Sequence, residues 1–275
     1  MSNVKILSPL DLKVTPVSNI KKGISAHEGR EWLDAKRPDE YSNRLEEFFF
    51  LNDNKITHKA RHYFDIYHRH FKKFCNTEAH IVELGVAQGG SLEMWKYYFG
   101  SKSKIYGIDF NPYCKQLEDE QTQILIGNID DEEFRRDIVK KIPQIDIFID
   151  DGSHHVDQQI NTLKSILPYI RKGGVYLCED ISYRETYGGG YLKKGTFLEY
   201  AKRFVDYVQG LYPLYGPIIY KDLYSVCVYN CIVVIEKLVS GDRRPMTSGL
   251  KELDHSYEVS EEEITKWKKD RRQHE

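Results

Sequence analysis

Between residues 81 and 178 five short apolar runs alternate with stretches of helical period, and this alternation narrows the possible architectures more than any other feature. The strand-like runs are 81–84, 104–108, 123–126, 145–149 and 175–178. Between them lie a helix at 91–99, a short turn after Pro112, and helices at 131–142 and 156–171. Short apolar runs bounded by Gly, Asp and Asn signal strands covered on both faces. Strands that alternate with helices of this length predict βαβ units, an α/β fold and a mainly parallel sheet. Ser91 and Asp130 are expected to cap their helices. Pro168 is expected to kink the last helix or mark its final turn, with Gly173-Gly174 closing it.

The flanks read differently. Residues 1–57 contain Pro9, Pro16 and Pro38 and suggest an arm with short helices near 26–35 and 42–50. Phe48-Phe49-Phe50-Leu51 is too apolar for water and is expected to pack on the main domain or on another subunit. From 58 to 74 the positions Ala60, Tyr63, Phe64, Tyr67, Phe71 and Phe74 recur at helical spacing. After Gly188-Gly189-Gly190 comes a helix at 196–207. The runs 223–228 and 231–235, split by Tyr229-Asn230, then read as a hairpin. The domain reading is an arm over 1–57, an α/β domain over 58–240 and a charged tail over 241–275. In that tail Ser260 and Glu263 make a capping box. A parallel core finished by an antiparallel hairpin resembles the sheet of Rossmann-like methyltransferases.

Bulk properties exclude several classes. With 40 basic and 42 acidic residues, net charge −2, there is no stripe for nucleic acid and no polybasic membrane patch. No apolar run approaches the ~20 residues that a membrane-spanning helix needs. Residues 1–12 lack a secretory pattern, so no signal is expected. Five cysteines, an odd number without a CxxC pair, argue against a zinc site or a disulfide framework and for a reducing, cytoplasmic setting.

In an open parallel sheet, residues just past the carboxyl ends of neighbouring strands share one crevice. Asp150-Asp151-Gly152-Ser153-His154-His155 and Glu179-Asp180 occupy such positions. Asp151, Glu179 and Asp180 offer oxygen ligands alone, which suits Mg²⁺, Mn²⁺ or Ca²⁺ rather than zinc. Without a cation these carboxylates would raise one another's pKa. The bland alternative makes Asp150 and Asp151 helix caps and Glu179-Asp180 a solvated loop. For Asp150, a capping or structural role and ligation both stand. His154 beside the ion is the natural acceptor of a hydroxyl proton. His155 is expected to support it, and Gln159 to reach back toward the site.

The loop Glu83-Leu84-Gly85-Val86-Ala87-Gln88-Gly89-Gly90-Ser91 has the spacing ExGxxxGG, not the dinucleotide GxGxxG. Glycines there permit a tight turn and close approach to a helix start. Glu83 could attract a cationic amino-acid moiety. Asp109 could accept hydrogen bonds from ribose hydroxyls, and Asn128 and Asp130 could read an adenine amino group. The set resembles an S-adenosylmethionine site, with Glu83, Gly85, Gln88, Gly89, Ser91, Asp109, Asn128, Asp130 and Asp150 as cofactor contacts.

Together, residues 150–155, Glu179-Asp180, Gly188-Gly189-Gly190 and Thr196-Phe197-Leu198-Glu199 resemble the metal-dependent sugar O-methyltransferases of macrolide biosynthesis, of mycinamicin and macrocin type. The resemblance extends to the rhamnosyl O-methyltransferase and cephalosporin hydroxylase-like group, over about 58–237. It implies Mg²⁺ on Asp151, Glu179 and Asp180, His154 as base, Asp151 also at the reacting centre, and a homo-oligomer. This chain departs from the pattern in Ile181-Ser182-Tyr183 and in the absence of a large N-terminal auxiliary domain. The expected reaction is methyl transfer to the hydroxyl of a small sugar, nucleotide-linked or part of a natural product, beneath a lid at 183–194. Tyr187 and Tyr191 would either stack on the sugar or pack. A phenolic, catechol-type methyltransferase and a non-catalytic sugar- or partner-binding module with a vestigial donor site are the alternatives. A nicotinamide oxidoreductase is disfavoured by the missing GxGxxG.

Overall fold

The computed structural model describes residues 38–181, 196–209, 220, 222–239, 260–262 and 265. The expected helix at 26–35, the 183–194 lid with its glycines and tyrosines, and Glu263 lie outside the described residues.

Seven strands form one sheet: β1 (His80–Leu84), β2 (Lys104–Asp109), β3 (Thr122–Ile126), β4 (Ile145–Asp150), β5 (Ile170–Cys178), β6 (Leu223–Tyr229) and β7 (Ile232–Lys237). Their order is β3-β2-β1-β4-β5-β7-β6. The first five pair in parallel and β7 runs antiparallel to both β5 and β6. From β1 the chain winds outward to β3, then crosses back to place β4 on the other side of β1. Crevices that bind ligands form where the winding reverses in this way.

Six described helices cover the sheet: α1 (Arg44–Leu51), α2 (Tyr63–Phe71), α3 (Gly90–Phe99), α4 (Glu132–Lys141), α5 (Val156–Ile166) and α6 (Phe197–Val208). Alternate strand residues face opposite ways. Ile81, Ile105, Ile124, Ile147, Val175 and Val234 join one core with α1, α2 and α3. Val82, Tyr106, Phe148, Tyr176, Val233 and Ile235 join the other with α4, α5 and α6. Each fully buried residue of this size contributes roughly 1.5–3 kcal/mol.

The apolar stretch at 48–51 lies against the main domain. Phe48 stacks near Tyr97 at 5.5 Å, Phe49 meets Phe64 at 5.0 Å, and the Arg44 guanidinium covers the Tyr97 ring. Asn43 caps this helix through the amides of Leu45 and Glu46.

Five expectations about element ends need correction. The helix foreseen at 58–74 begins at Tyr63, because residues 52–62 form a strap of no regular structure. Asp131, not Asp130, caps α4, accepting from the Glu133 amide. Gly89 caps α3, and Ser91 stands inside that helix. Pro168 does mark the last turn of its helix, a 3₁₀ turn at Leu167–Tyr169, but β5 begins at Ile170 and Gly173-Gly174 lie within it. The hairpin turns on Asn230-Cys231.

Glu236 on β7 accepts from Ser225 Oγ at 2.9 Å and from Lys73 Nζ at 3.3 Å, with His70 Nδ1 3.4 Å away. The His70 hydrogen bond, helped by Lys73 and Ser225 against the cost of burial, holds its pKa down at about 2. A depressed carboxylate contributes stability above its ordinary pKa and loses it as pH falls toward the folded value. The stability gap between this chain and Glu236→Gln, measured by urea unfolding, should therefore be widest above about pH 4.5 and close by about pH 2. A gap that does not change over that range contradicts the assignment.

Candidate active site

The tips of β1, β2, β4 and β5 are stitched together by backbone bonds. Gly85 N donates to Ile108 O at 2.8 Å, Asp151 N to Leu84 O at 3.0 Å, and Glu179 N to Asp150 O at 2.9 Å. Gly85 has φ +88°, and a Cβ there would fall 2.1 Å from the Asp151 carbonyl oxygen. Glycine at 85 is thus what lets the first loop lie against the acidic loop. Asp109 holds that loop open: its Oδ2 accepts from the amides of Val86 and Ala87 at 3.1 and 3.3 Å, and its Oδ1 from Asn111 N. Next to it Phe110 is 80% exposed.

Asp151, His154 and Asp180 come together, with ligand atoms all within 4.8 Å of one another. His154 Nε2 lies 3.7 Å from Asp180 Oδ2, and His154 Nδ1 is buried with no hydrogen-bond partner. Both residues have left-handed backbones, φ +60° and +53°. Such strain costs about 1–3 kcal/mol per residue and collects at functional sites. Tyr63 on α2 donates to Asp180 Oδ1 at 2.5 Å.

Glu179 turns elsewhere. Its Oε1 accepts from Tyr67 at 2.7 Å and its Oε2 from Lys59 Nζ at 2.8 Å. Lys59 also reaches Asp151 Oδ2 at 2.5 Å. Burial, reinforced by the charge of Asp151, pushes the Glu179 carboxyl up to about 8, with Lys59 and Tyr67 opposing. Burial works against charge on Lys59 as well, but Asp151, Glu179 and Glu83 outweigh it and hold its pKa above the ordinary range. The ammonium stays charged, and burial keeps both tyrosine hydroxyls protonated donors.

Three observations bear on whether an ion fits here. The donor set of Asp151 and Asp180 with Glu179 behind them is rich in hard oxygens, the preference of Mg²⁺ and Mn²⁺. His154 brings Nε2 to the same cluster, 3.7 Å from Asp180 Oδ2. One resident cation, Lys59, already draws two of these acids together. The residues fit a divalent ion.

No family model matches the chain. It is 34% identical over 133 residues to the 8-demethyl-8-(2-methoxy-alpha-L-rhamnosyl)-tetracenomycin-C 3'-O-methyltransferase of Streptomyces olivaceus, covering 45% of this chain and 34% of that protein. Demethylmacrocin O-methyltransferase of Streptomyces fradiae is 29% identical over 196 residues, 64% of this chain and 48% of its own length. Mycinamicin VI 2''-O-methyltransferase of Micromonospora griseorubida is 32% identical over 155 residues, 52% of this chain and 38% of its own length. The fold matches MycE methyltransferase of the mycinamycin pathway, solved with Mg, SAH and mycinamycin VI. The TM-score is 0.63 at 25% identity, over 82% of this chain and 58% of that one. Over these stretches the chain is similar to O-methyltransferases. It spans less than half the length of the curated relatives it matches, and its Rossmann-like methyltransferase sheet is the one expected.

For a chain similar to these methyltransferases, the placement of the remaining expected residues is informative. Glu83 has no exposed surface: it accepts from Ser91 Oγ at 2.7 Å and Trp95 Nε1 at 3.0 Å, and burial pushes it up to about 7. It ties β1 to α3, with Ser91 serving the same tie, while its charge still reaches Lys59. Asp150 points to the opposite core, where Tyr176 donates to it at 2.7 Å, and burial raises it to about 7. It is neither a cap nor a crevice residue. Gln88 is exposed on the loop, and Gly89 opens α3. Asn128 and Asp130 are exposed at the β3 tip. Asp130 accepts from Gln158 Nε2, whose Oε1 accepts from the amide and hydroxyl of Ser153. Gln159 does reach back, donating to the Glu179 carbonyl at 3.1 Å. His155 is exposed at the start of α5.

Lys59, Tyr63 and Tyr67 were not foreseen. The two tyrosines sit four apart on α2, so one helical face carries both hydroxyls toward the acids. Their aromatic character had marked them as core alone.

The Gly85→Ala change should destabilise the fold by at least about 2 kcal/mol, since strain at positive φ adds to a backbone clash. Thermal unfolding gives the measurement; an unchanged midpoint would show that the two loops do not depend on this contact.

Proposed function

We propose that this chain transfers a methyl group from S-adenosylmethionine to a sugar hydroxyl of a small molecule, at a divalent-ion site on the tips of β4 and β5. The observation that carries the proposal is the meeting of Asp151, His154 and Asp180 within 4.8 Å, beside the Gly85 loop. The relatives named above support the reaction class, and MycE, solved with Mg and SAH, supports the pairing of a methyl donor with magnesium.

In this reading Asp109 accepts from the ribose hydroxyls and the Phe110 ring offers a face for adenine. Asp151 and Asp180 would hold Mg²⁺ or Mn²⁺, with Glu179 as the third carboxylate. The ion would orient neighbouring hydroxyls and lower the pKa of the one to be methylated. His154 takes the hydroxyl proton, the freed oxygen attacks the methyl carbon, and the sulfur–methyl bond breaks to leave a neutral thioether. Attack of an anionic oxygen on a sulfonium cancels charge, so exclusion of water favours it. Tyr63 keeps Asp180 in register for this geometry.

The acceptor is a small glycoside or a nucleotide-linked sugar. Homo-oligomeric assembly and a cytoplasmic setting belong to the same proposal. No helix among the described residues is long and apolar enough to cross a membrane.

Replacing His154 with Ala is expected to lower transfer by ~10²–10⁴-fold, the usual worth of a general base, while calorimetry shows donor affinity unchanged. A chelator should abolish transfer and added Mg²⁺ restore it. The acceptor panel comprises glycosylated natural products, nucleotide sugars and dihydroxyphenyl compounds. Full turnover by the His154 variant removes it as the base, and turnover of dihydroxyphenyl compounds alone overturns the sugar assignment.

A further inference from the structure

Lys59 takes no part in the chemistry above, yet its ammonium sits among the acids that would hold the ion. Nζ is 2.5 Å from Asp151 and 2.8 Å from Glu179, and the side chain is 3% exposed. It does not come from the sheet. The strap at 52–62 carries it in, and that strap lies so close over the start of α3 that a Cβ on Gly90 would fall 2.2 Å from Ile56 O and Thr57 Oγ1. The lysine therefore arrives on a segment without helix or strand of its own, at the junction of two strand tips.

A +1 ammonium and a +2 ion attracted to one carboxylate repel each other, and that repulsion is strong where water is scarce. Asp151 belongs both to the Lys59 pair and to the group with His154 and Asp180. We propose that Lys59 is the resident counter-cation of this acid cluster, competing with the divalent ion for Asp151 and Glu179 and so setting the affinity of the site for metal. The proposal rests on the metal site of the preceding subsection. It makes Lys59 a positioning residue. While Lys59 is in place Glu179 stays withdrawn toward Tyr67, and when the ion takes Asp151 the lysine loses one of its two partners.

The test titrates Mn²⁺ alone into the full chain, without donor or acceptor, and follows the paramagnetic resonance of the free ion. Lys59→Met should bind Mn²⁺ at least ~10-fold more tightly than the wild type, since an opposing charge is gone. Its thermal midpoint should also rise more on addition of Mn²⁺. A lysine that merely props the fold predicts the reverse, equal or weaker binding, and that result overturns the proposal. If Lys59→Met does not fold in chelator, Mn²⁺ is expected to restore its near-ultraviolet circular dichroism, and failure to do so also overturns it. When neither chain takes up Mn²⁺, the metal site itself falls. When the wild type binds and the variant gains nothing, the site stands and the competition falls.

Discussion

Packing acidic groups into the dry carboxyl end of the central strands is the constraint from which this structure follows. Glu83, Asp150 and Glu179 are each 1% exposed or less, at or just past the carboxyl ends of three adjacent strands. Each is matched with donors from a different element: Ser91 and Trp95 for Glu83, Tyr176 for Asp150, Tyr67 and Lys59 for Glu179. An isolated carboxylate there would cost several kcal/mol, and deleting one partner of a buried pair typically costs about 3–5 kcal/mol. The donors are therefore part of the fold as much as of the site. They also explain why α2 and the strap before it press on the carboxyl ends of the strands.

The matched acids divide by direction. Glu83 and Asp150 point into opposite cores and hold the sheet to its helices. Asp151 and Asp180 point into the crevice with His154, where the strained backbones of the latter two persist. Glu179 belongs to both groups, buried like the first and adjacent to the second.

The strands and the pairing of loops were legible because buried parallel strands carry dense apolar runs, as at Ile147–Ile149 and Val175–Cys178, and end beside Gly or Asp. The parallel pairing of the first five strands and the closing hairpin followed from alternation and turn chemistry. Asp151, His154 and Asp180 were legible because chemistry crowds at strand ends. Glu83 and Asp150 were harder to read: a strand-end acid looks alike whether it faces the crevice or the core, and one residue of register decides which. Lys59 was invisible because a lone lysine before a helix ordinarily lies in water, and nothing local says that a strap will carry it inward. Tyr63 and Tyr67 were seen as apolar matter, since spacing reports which face is buried and not where a hydroxyl ends.

The chain of bonds from Asp130 through Gln158 to Ser153 has a consequence for how selectivity is distributed. It joins the rim where a nucleobase would be read to the turn that carries His154. A group held at that rim would, on the proposed reading, bear through two side-chain bonds on the turn that positions His154.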